Sequence, residues 1–162
     1  MANRQAIEGI TQGTIDSIFA ETGMTTVLSI AVDNRVFYLH SAAEGLAQQY
    51  LTQDFLPRSL LRTSGGWILL SGYSRGDLWA FLRSRPEEEQ QYVNAFLTEL
   101  ERIAETGVCA APGVAPRNVD GVSVAVKHKN RVVAALGIIG EHDEIDSRKA
   151  ELVEILNRYL PR

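Results

Sequence analysis

The stretch GVSVAVKHKNRVVAALGIIG, residues 121–140, decides the fold. It contains two apolar runs, Val122–Val126 and Val132–Ile139, on either side of a basic turn at Lys127–Arg131. Runs of Val, Ala, Ile and Leu of this length predict a β-hairpin whose strands lie in the middle of a sheet. Because two strands alone are not stable in water, we expect the rest of the chain to supply further strands and covering helices.

The whole chain has the size and composition of one globular domain. It has 162 residues, of which 45% are hydrophobic and 22% are charged, and it is long enough to bury a core. The net charge is −4 and no basic stripe is present, which argues against nucleic-acid binding by these residues. The longest apolar run is too short for a membrane span, and the first residues do not resemble a signal peptide. We therefore expect a cytoplasmic protein with no membrane partner.

The spacing of apolar residues predicts the remaining elements. We expect a helix over residues 4–22, a hairpin over Thr25–Val32 and Arg35–His40 with its turn at Asp33-Asn34, and an edge strand over Ala47–Leu56. We also expect a helix over Arg75–Arg83 with Leu78, Trp79 and Leu82 on one side, a helix from Pro86 to Gly107, a short strand and a surface loop over Val108–Asp120, and a final helix capped by Asp146 or Ser147. Helices segregated from mostly antiparallel strands predict an α+β fold.

The segment SLLRTSGGWILLS, residues 59–71, is unusual because a polar stretch with two glycines leads directly into an apolar one. We predict a loop that enters a short buried helix, with Thr63 or Ser64 as the N-cap. Gly65 and Gly66 allow the backbone to approach a neighbour closely. The sequence does not decide whether that neighbour is a strand of the sheet or a small ligand.

Residues that often carry catalysis form no recognisable constellation. The three histidines, His40, His128 and His142, lack metal-ligand spacing, and the chain has neither a nucleophile elbow nor a phosphate loop. The acidic stretch around His142 is expected to be a solvated loop rather than a cation site. Cys109 is the only cysteine, so it forms no internal disulfide, and we expect a buried, inert thiol. We therefore expect neither enzymatic activity nor a cofactor.

Five segments carry a resemblance that extends over nearly the whole chain. They are ETGMTTVLSIAVDNRVFYLHSAAE at 21–44, SLLRTSGGWILLSGY at 59–73, LERIAETGVC at 100–109, GVSVAVKHKNRVVAALGIIG at 121–140, and the terminal helix. In this order they resemble the C-terminal effector-binding domain of the IclR family of bacterial transcription regulators. The resemblance implies a GAF-like fold, which is a curved antiparallel sheet with helices on both faces, in a single domain over residues 1–162. It also implies homodimers or tetramers, and DNA binding only through a winged helix-turn-helix that these residues do not contain.

The resemblance also implies an effector pocket with altered chemistry. Members that bind small polar acids use an aspartate, the cysteine of "GVxC" and two serines of "ALSVSG". The positions matching the cysteine and the serines here are Val124, Gly137 and Ile139, and Asp120 is the nearest acid. We therefore expect a small effector that is aromatic or weakly polar. The expected effector-binding residues are Thr63, Ser64, Gly65, Gly66, Trp67, Ser123, Val124, Gly137 and Ile139.

Two other functions are left open by the sequence. The first is a ligand-free GAF-like dimerisation module whose contacts are the helices at residues 4–22 and 147–160. The second is a redox enzyme of the same fold, which is disfavoured because such chemistry generally needs a second thiol to resolve the first.

Overall fold

The computed structural model describes residues 7–43, 58–110 and 119–161. The edge strand expected over Ala47–Leu56 and most of the loop expected before Asp120 lie outside these residues. In chain order the elements are α1 (Gln12–Thr22), β1 (Thr25–Val32), β2 (Arg35–Ala42), β3 (Arg58–Ser59), α2 (Ser64–Ser71), α3 (Arg75–Arg83), α4 (Gln90–Thr106), β4 (Val108–Ala110), β5 (Val119–His128), β6 (Arg131–Glu141) and α5 (His142–Arg158). Short 3-10 turns precede α2 at Leu60–Arg62 and α4 at Glu87–Glu89.

The strands form one antiparallel sheet in the order β3-β2-β1-β6-β5-β4. The expected hairpins are both present, and β1 pairs with β6 so that the two hairpins lie side by side. Their turns are Asp33-Asn34 and Lys129-Asn130, and all four residues have positive φ between 50° and 65°. Two-residue turns of this kind match the natural twist of a hairpin. The predicted α+β fold with a central hairpin is confirmed.

Helices cover both faces of the sheet, as expected. α1 and α5 pack on the face that carries Val122, Val124 and Val126. α2, α3 and α4 form a second core on the opposite face, which carries Ala125 and Ala135. Successive residues of a strand point to opposite faces, so the odd-numbered residues of β5 face α2 and the even-numbered ones face α5. This alternation decides which residues can contribute to a site under α2.

Two helix starts differ from the expectation. The helix expected from residue 4 is interrupted, because Thr11 caps α1 by accepting a hydrogen bond from the Thr14 N–H and its own N–H donates to Thr14 Oγ1. The last helix begins at His142 rather than after Asp146 or Ser147. Its buried stripe includes Ile145 as well as Leu152 and Leu156, and the helical spacing of these residues extends the helix toward the strand.

Trp79 is not in the core, contrary to the expectation for α3. The buried side chains of this helix are Leu78, Phe81 and Leu82, which follow the three- and four-residue spacing of one helical face. Trp79 lies next to that face and is 42% exposed. The ends expected for α3 at Arg83 and for α4 before Gly107 are confirmed; Gly107 has φ +68° and caps α4 in the left-handed region that glycine favours.

Candidate functional site

The first turn of α2 lies directly on the middle of the sheet. Thr63 is in extended conformation, and its Oγ1 accepts a hydrogen bond of 2.8 Å from the Gly66 N–H. This confirms the predicted helix and selects Thr63 from the two predicted caps. The cap holds Ser64 and Gly65 over strands β1, β5 and β6, where both residues are buried. The helix therefore presents its N-terminus to the interior of the protein.

A pair of buried serines joins α2 to the sheet. Ser64 Oγ and Ser123 Oγ lie 2.8 Å apart, and both residues are at most 6% exposed. Ser123 is opposite Gly137 in the register of β5 and β6. A Cβ atom on Gly137 would overlap Ser123 Oγ, so the glycine provides the space that this hydroxyl occupies. Ser64, Ser123 and Gly137, three of the residues predicted to bind an effector, thus lie together.

The two glycines of α2 approach protein atoms rather than empty space. A Cβ atom on Gly65 would lie 2.8 Å from Ser29 Oγ. A Cβ atom on Gly66 would overlap the carbonyl oxygen of Leu60 and lie 2.7 Å from its carbonyl carbon. The close neighbour of Gly65 is therefore the sheet, which was one of the two alternatives. The close neighbour of Gly66 is the turn preceding α2, which the sequence analysis did not consider.

Ile139 belongs to a small apolar cluster beyond the N-terminus of α2. It packs with Val27 and Val119, with the half-buried Tyr38 against them, apart from the two main cores. Thr25 is opposite Ile139 in the sheet and is also buried. This cluster and the serine pair lie on the same face of the sheet, and together they form the candidate site.

Trp67 and Val124 do not join this group. The Trp67 N–H donates to the Leu61 carbonyl at 3.0 Å, and its ring meets Phe96 edge-to-face at 5.6 Å in the core between α2 and α4. Val124 packs on the opposite face with α1 and α5. The sequence match to the family's cysteine selected Val124, but the register places its neighbour Ser123 opposite Gly137.

Asp120 is also unavailable to a ligand under α2. It is 4% exposed on β5, and its carboxylate pairs with Nδ1 of His142, the first residue of α5. This hydrogen bond, together with the negative charge of Asp120, raises the pKa of His142 above its ordinary value of 6.5. Sequence reasoning missed the pair because it treated the stretch around His142 as a solvated loop rather than as the start of a helix.

The Asp120–His142 pair makes stability depend on pH. The pKa of His142 is raised in the folded state. The pair therefore stabilises the fold fully at pH values below the pKa of His142 in the unfolded chain, and this stabilisation is lost as the pH rises through the pKa of His142 in the folded protein. We expect the urea midpoint to fall over that range, and His142→Gln to flatten this part of the profile. Urea unfolding between about pH 5.5 and pH 8.5 measures it. Identical profiles for the two proteins would contradict the assignment.

The thiol of Cys109 fits a structural role. Its side chain is buried in the core under α4, and burial raises its pKa to about 12. A thiol of that pKa is protonated at neutral pH, whereas thiol chemistry requires the thiolate. Within the described ranges, no group of three His, Cys, Asp or Glu side chains is placed to hold a metal ion. No helix in the described part of the chain has the length and apolarity to cross a membrane.

No protein-family model and no curated protein sequence matches this chain. Several solved structures do. The effector domain assigned to the regulator IclR from Acinetobacter sp. ADP1 has a TM-score of 0.76 at 18% identity, and the match covers 98% of this chain and 92% of that one.

Two further structures contain bound ligands. The inducer-binding domain of the transcription factor PobR from Acinetobacter, a double mutant in complex with 3-hydroxybenzoic acid, has a TM-score of 0.73 at 15% identity over 91% of each chain. An IclR homologue from Microbacterium hydrocarbonoxydans, complexed with 4-hydroxybenzoate, has a TM-score of 0.70 at 20% identity over 98% of this chain and 69% of that one. At identities this low, the similarity shows only that the architecture is shared. The chain has the fold of the effector domains of IclR-type transcriptional regulators.

Proposed function

We propose that this chain is the small-molecule sensing domain of an IclR-type transcription regulator, with its effector bound at the N-terminus of α2. The observation that carries the proposal is the buried Ser64–Ser123 hydroxyl pair, 2.8 Å apart, at the first turn of a helix that points into the domain. The proposed role is recognition, since one hydroxyl of the pair can still donate a hydrogen bond to a bound molecule.

The hydroxyl pair and the helix end favour a polar group on the effector. One serine donates its hydrogen to the other, so the accepting serine keeps its own hydrogen for a ligand. The Gly66 N–H is capped by Thr63, whereas the N–H groups of Ser64 and Gly65 have no acceptor within the helix, and the helix dipole favours negative charge there. A carboxylate or a phenolic oxygen meets both requirements. Buried without such donors, either group would be costly.

The rest of the proposed site favours an apolar body. Ile139, Val27 and Val119 form the adjoining cluster, and Gly137 adds no polar side chain. The pocket is thus proposed to be less polar than in family members that carry serines at the positions of Gly137 and Ile139. Two structures of the same fold hold hydroxybenzoates, so aromatic acids and phenols are the first ligands to test.

The same proposal covers the assembly and setting of the protein. The chain is proposed to act as one effector domain of a homodimeric or tetrameric cytoplasmic regulator. DNA would then be bound by a winged helix-turn-helix outside these residues. The effector would change transcription only through different affinities for two arrangements of the assembly, because a ligand that binds both equally shifts neither.

Removing one hydroxyl tests the proposed contact. A thermal-shift panel of hydroxybenzoates, phenols and short-chain acids first identifies a ligand, since binding to the folded state raises the unfolding midpoint. Isothermal titration then compares Ser123→Ala with the original chain. We expect the dissociation constant to increase about tenfold, which corresponds to the loss of one hydrogen bond.

Ser29→Ala is the matched control for this experiment. Ser29 is equally buried on the same face, and its hydroxyl donates a long hydrogen bond of 3.4 Å to the Ala135 carbonyl. We expect this variant to keep the original affinity. Equal effects of the two substitutions would refute the contact with Ser123. A panel with no binding ligand would instead favour the ligand-free dimerisation module.

A further inference from the structure

A groove of about 320 Å³ lies at the opposite end of α2 from the proposed effector site. It is bounded by the C-terminal ends of α2 and α4 and by the tip of the β5–β6 hairpin. Ile103, Ala125 and Val132 are among the apolar residues that line it, and Lys127 and Arg131 are the charged residues of its lining. Its volume is at the lower end of the range for small-molecule sites.

The charge of this groove is opposite to that of the chain. The chain has a net charge of −4, yet none of the residues that line the groove is acidic. Lys127 and Arg131 form no ion pair with any residue in the described ranges. Two such cations attract an anion, and the apolar residues between them leave room for an anion that also has an apolar part.

The C-terminal ends of two helices also lie beside this groove. The C-terminal carbonyls of a helix carry partial negative charge, which repels anions. Some carbonyls beside the groove are engaged within the protein: Ile103 O accepts from the Gly107 N–H and Gly107 O accepts from the Ala125 N–H, both at 2.8 Å. Ile68 O accepts from the Ser71 hydroxyl at 2.6 Å. The full charges among the lining residues are those of Lys127 and Arg131.

Small residues keep the groove open. Gly107 has the positive φ that the end of α4 requires, and Ala104 is exposed beside it. A Cβ atom on Gly72 would lie 2.7 Å from the Cβ atom of Val132, so a larger residue there would crowd this lining residue.

We propose that this groove is a second binding site, separate from the effector site, for a small monocarboxylate with an aromatic or short aliphatic body. The carboxylate contacts Lys127 and Arg131. The planar guanidinium group of Arg131 can donate a hydrogen bond to each of the two carboxylate oxygens. The apolar body lies on Ile103, Ala125 and Val132. This site does not depend on the proposed sensing function, because it uses none of the residues of the serine pair or the Ile139 cluster.

Amide chemical shifts of the ¹⁵N-labelled chain test the proposal with three probes: benzoate, butyrate and the uncharged benzamide. We expect benzoate or butyrate to shift the Gly72 and Gly107 amides in a saturable manner, and benzamide to do so at least about tenfold more weakly because it lacks the charge. Lys127→Gln with Arg131→Gln should remove the response. Lys129→Gln, on the same hairpin tip but outside the groove, should retain it.

Three results would overturn the second site. The first is equal binding of benzamide and benzoate, and the second is a loss in Lys129→Gln as large as that in the combined Lys127→Gln and Arg131→Gln variant. The third is an absence of saturable shifts at Gly72 and Gly107 with both carboxylates. Shifts confined to Gly65 and Gly137 are one form of the third result, and they would support the effector site at the other end of the helix.

Discussion

Gly66→Ala is expected to destabilise the domain by about 3 kcal/mol or more, which is at or above the upper end for overpacking a core. The new methyl group would overlap the Leu60 carbonyl oxygen and lie 2.7 Å from both the carbonyl carbon and the Cα of Leu60. These are backbone atoms of a fully buried residue, so they cannot move aside as the end of a flexible side chain would. Urea unfolding followed by circular dichroism measures the loss.

Gly76→Ala is the matched control, because it makes the same chemical change in a helix with free space. Gly76 lies in the exposed first turn of α3, and a Cβ atom there would meet nothing within 4 Å. Alanine favours helix by up to about 1 kcal/mol over glycine, so we expect this variant to be slightly more stable than the original. If both variants changed stability alike, the close approach of α2 to Leu60 would be wrong.

Trp67→Ala is expected to cost about 3–5 kcal/mol of unfolding free energy, as for other large aromatic residues removed from a core. Trp67 is 3% exposed, and the change removes both its edge-to-face contact with Phe96 and its hydrogen bond to Leu61. The loss should appear without any ligand, since the ring packs against the protein's own helices.

Trp79→Ala provides the comparison within the same chain. Trp79 is 42% exposed on α3, and surface substitutions usually change stability by no more than about 0.5 kcal/mol. Urea unfolding by far-ultraviolet circular dichroism suits both variants, because it does not depend on tryptophan fluorescence. A loss at Trp79 as large as that at Trp67 would contradict the placement of the two side chains.

Local features of the fold could be predicted because they depend on residues close together in the chain. Asp33-Asn34 indicated a hairpin turn, and both residues adopt the positive φ that such turns need. Thr63 indicated a helix start and Gly107 a helix end, and both cap their helices. Where two readings of a local pattern competed, as between Thr63 and Ser64, the hydrogen bond to the Gly66 N–H decided between them.

The candidate site could be predicted only in part, because it depends on register. The sequence identified Ser123 and Gly137, but it could not show that Val124 points to the opposite face. That depends on which residue of β6 is opposite each residue of β5, and the pairing shifts at an irregularity between Val126 and Lys127. A shift of one residue moves a side chain from one face of a sheet to the other.

Two further features depend on contacts between distant parts of the chain. The pairing of β1 with β6 joins the two hairpins, and apolar patterning alone does not determine which strands become neighbours. The pairing of Asp120 with His142 requires β5 and the start of α5 to lie together. The position of Trp67 could not be predicted for a similar reason. A tryptophan beside two glycines occurs in the sequence in the same way whether it lines a ligand pocket or packs in the protein core.

A crystal structure with the ligand that raises the unfolding midpoint most would test the central claim directly. The proposed function predicts ligand density at the first turn of α2, with a polar atom within hydrogen-bond distance of Ser64 Oγ or Ser123 Oγ and its apolar part against Ile139. Density for the ligand elsewhere in the domain, with the serine pair unchanged and uncontacted, would contradict it.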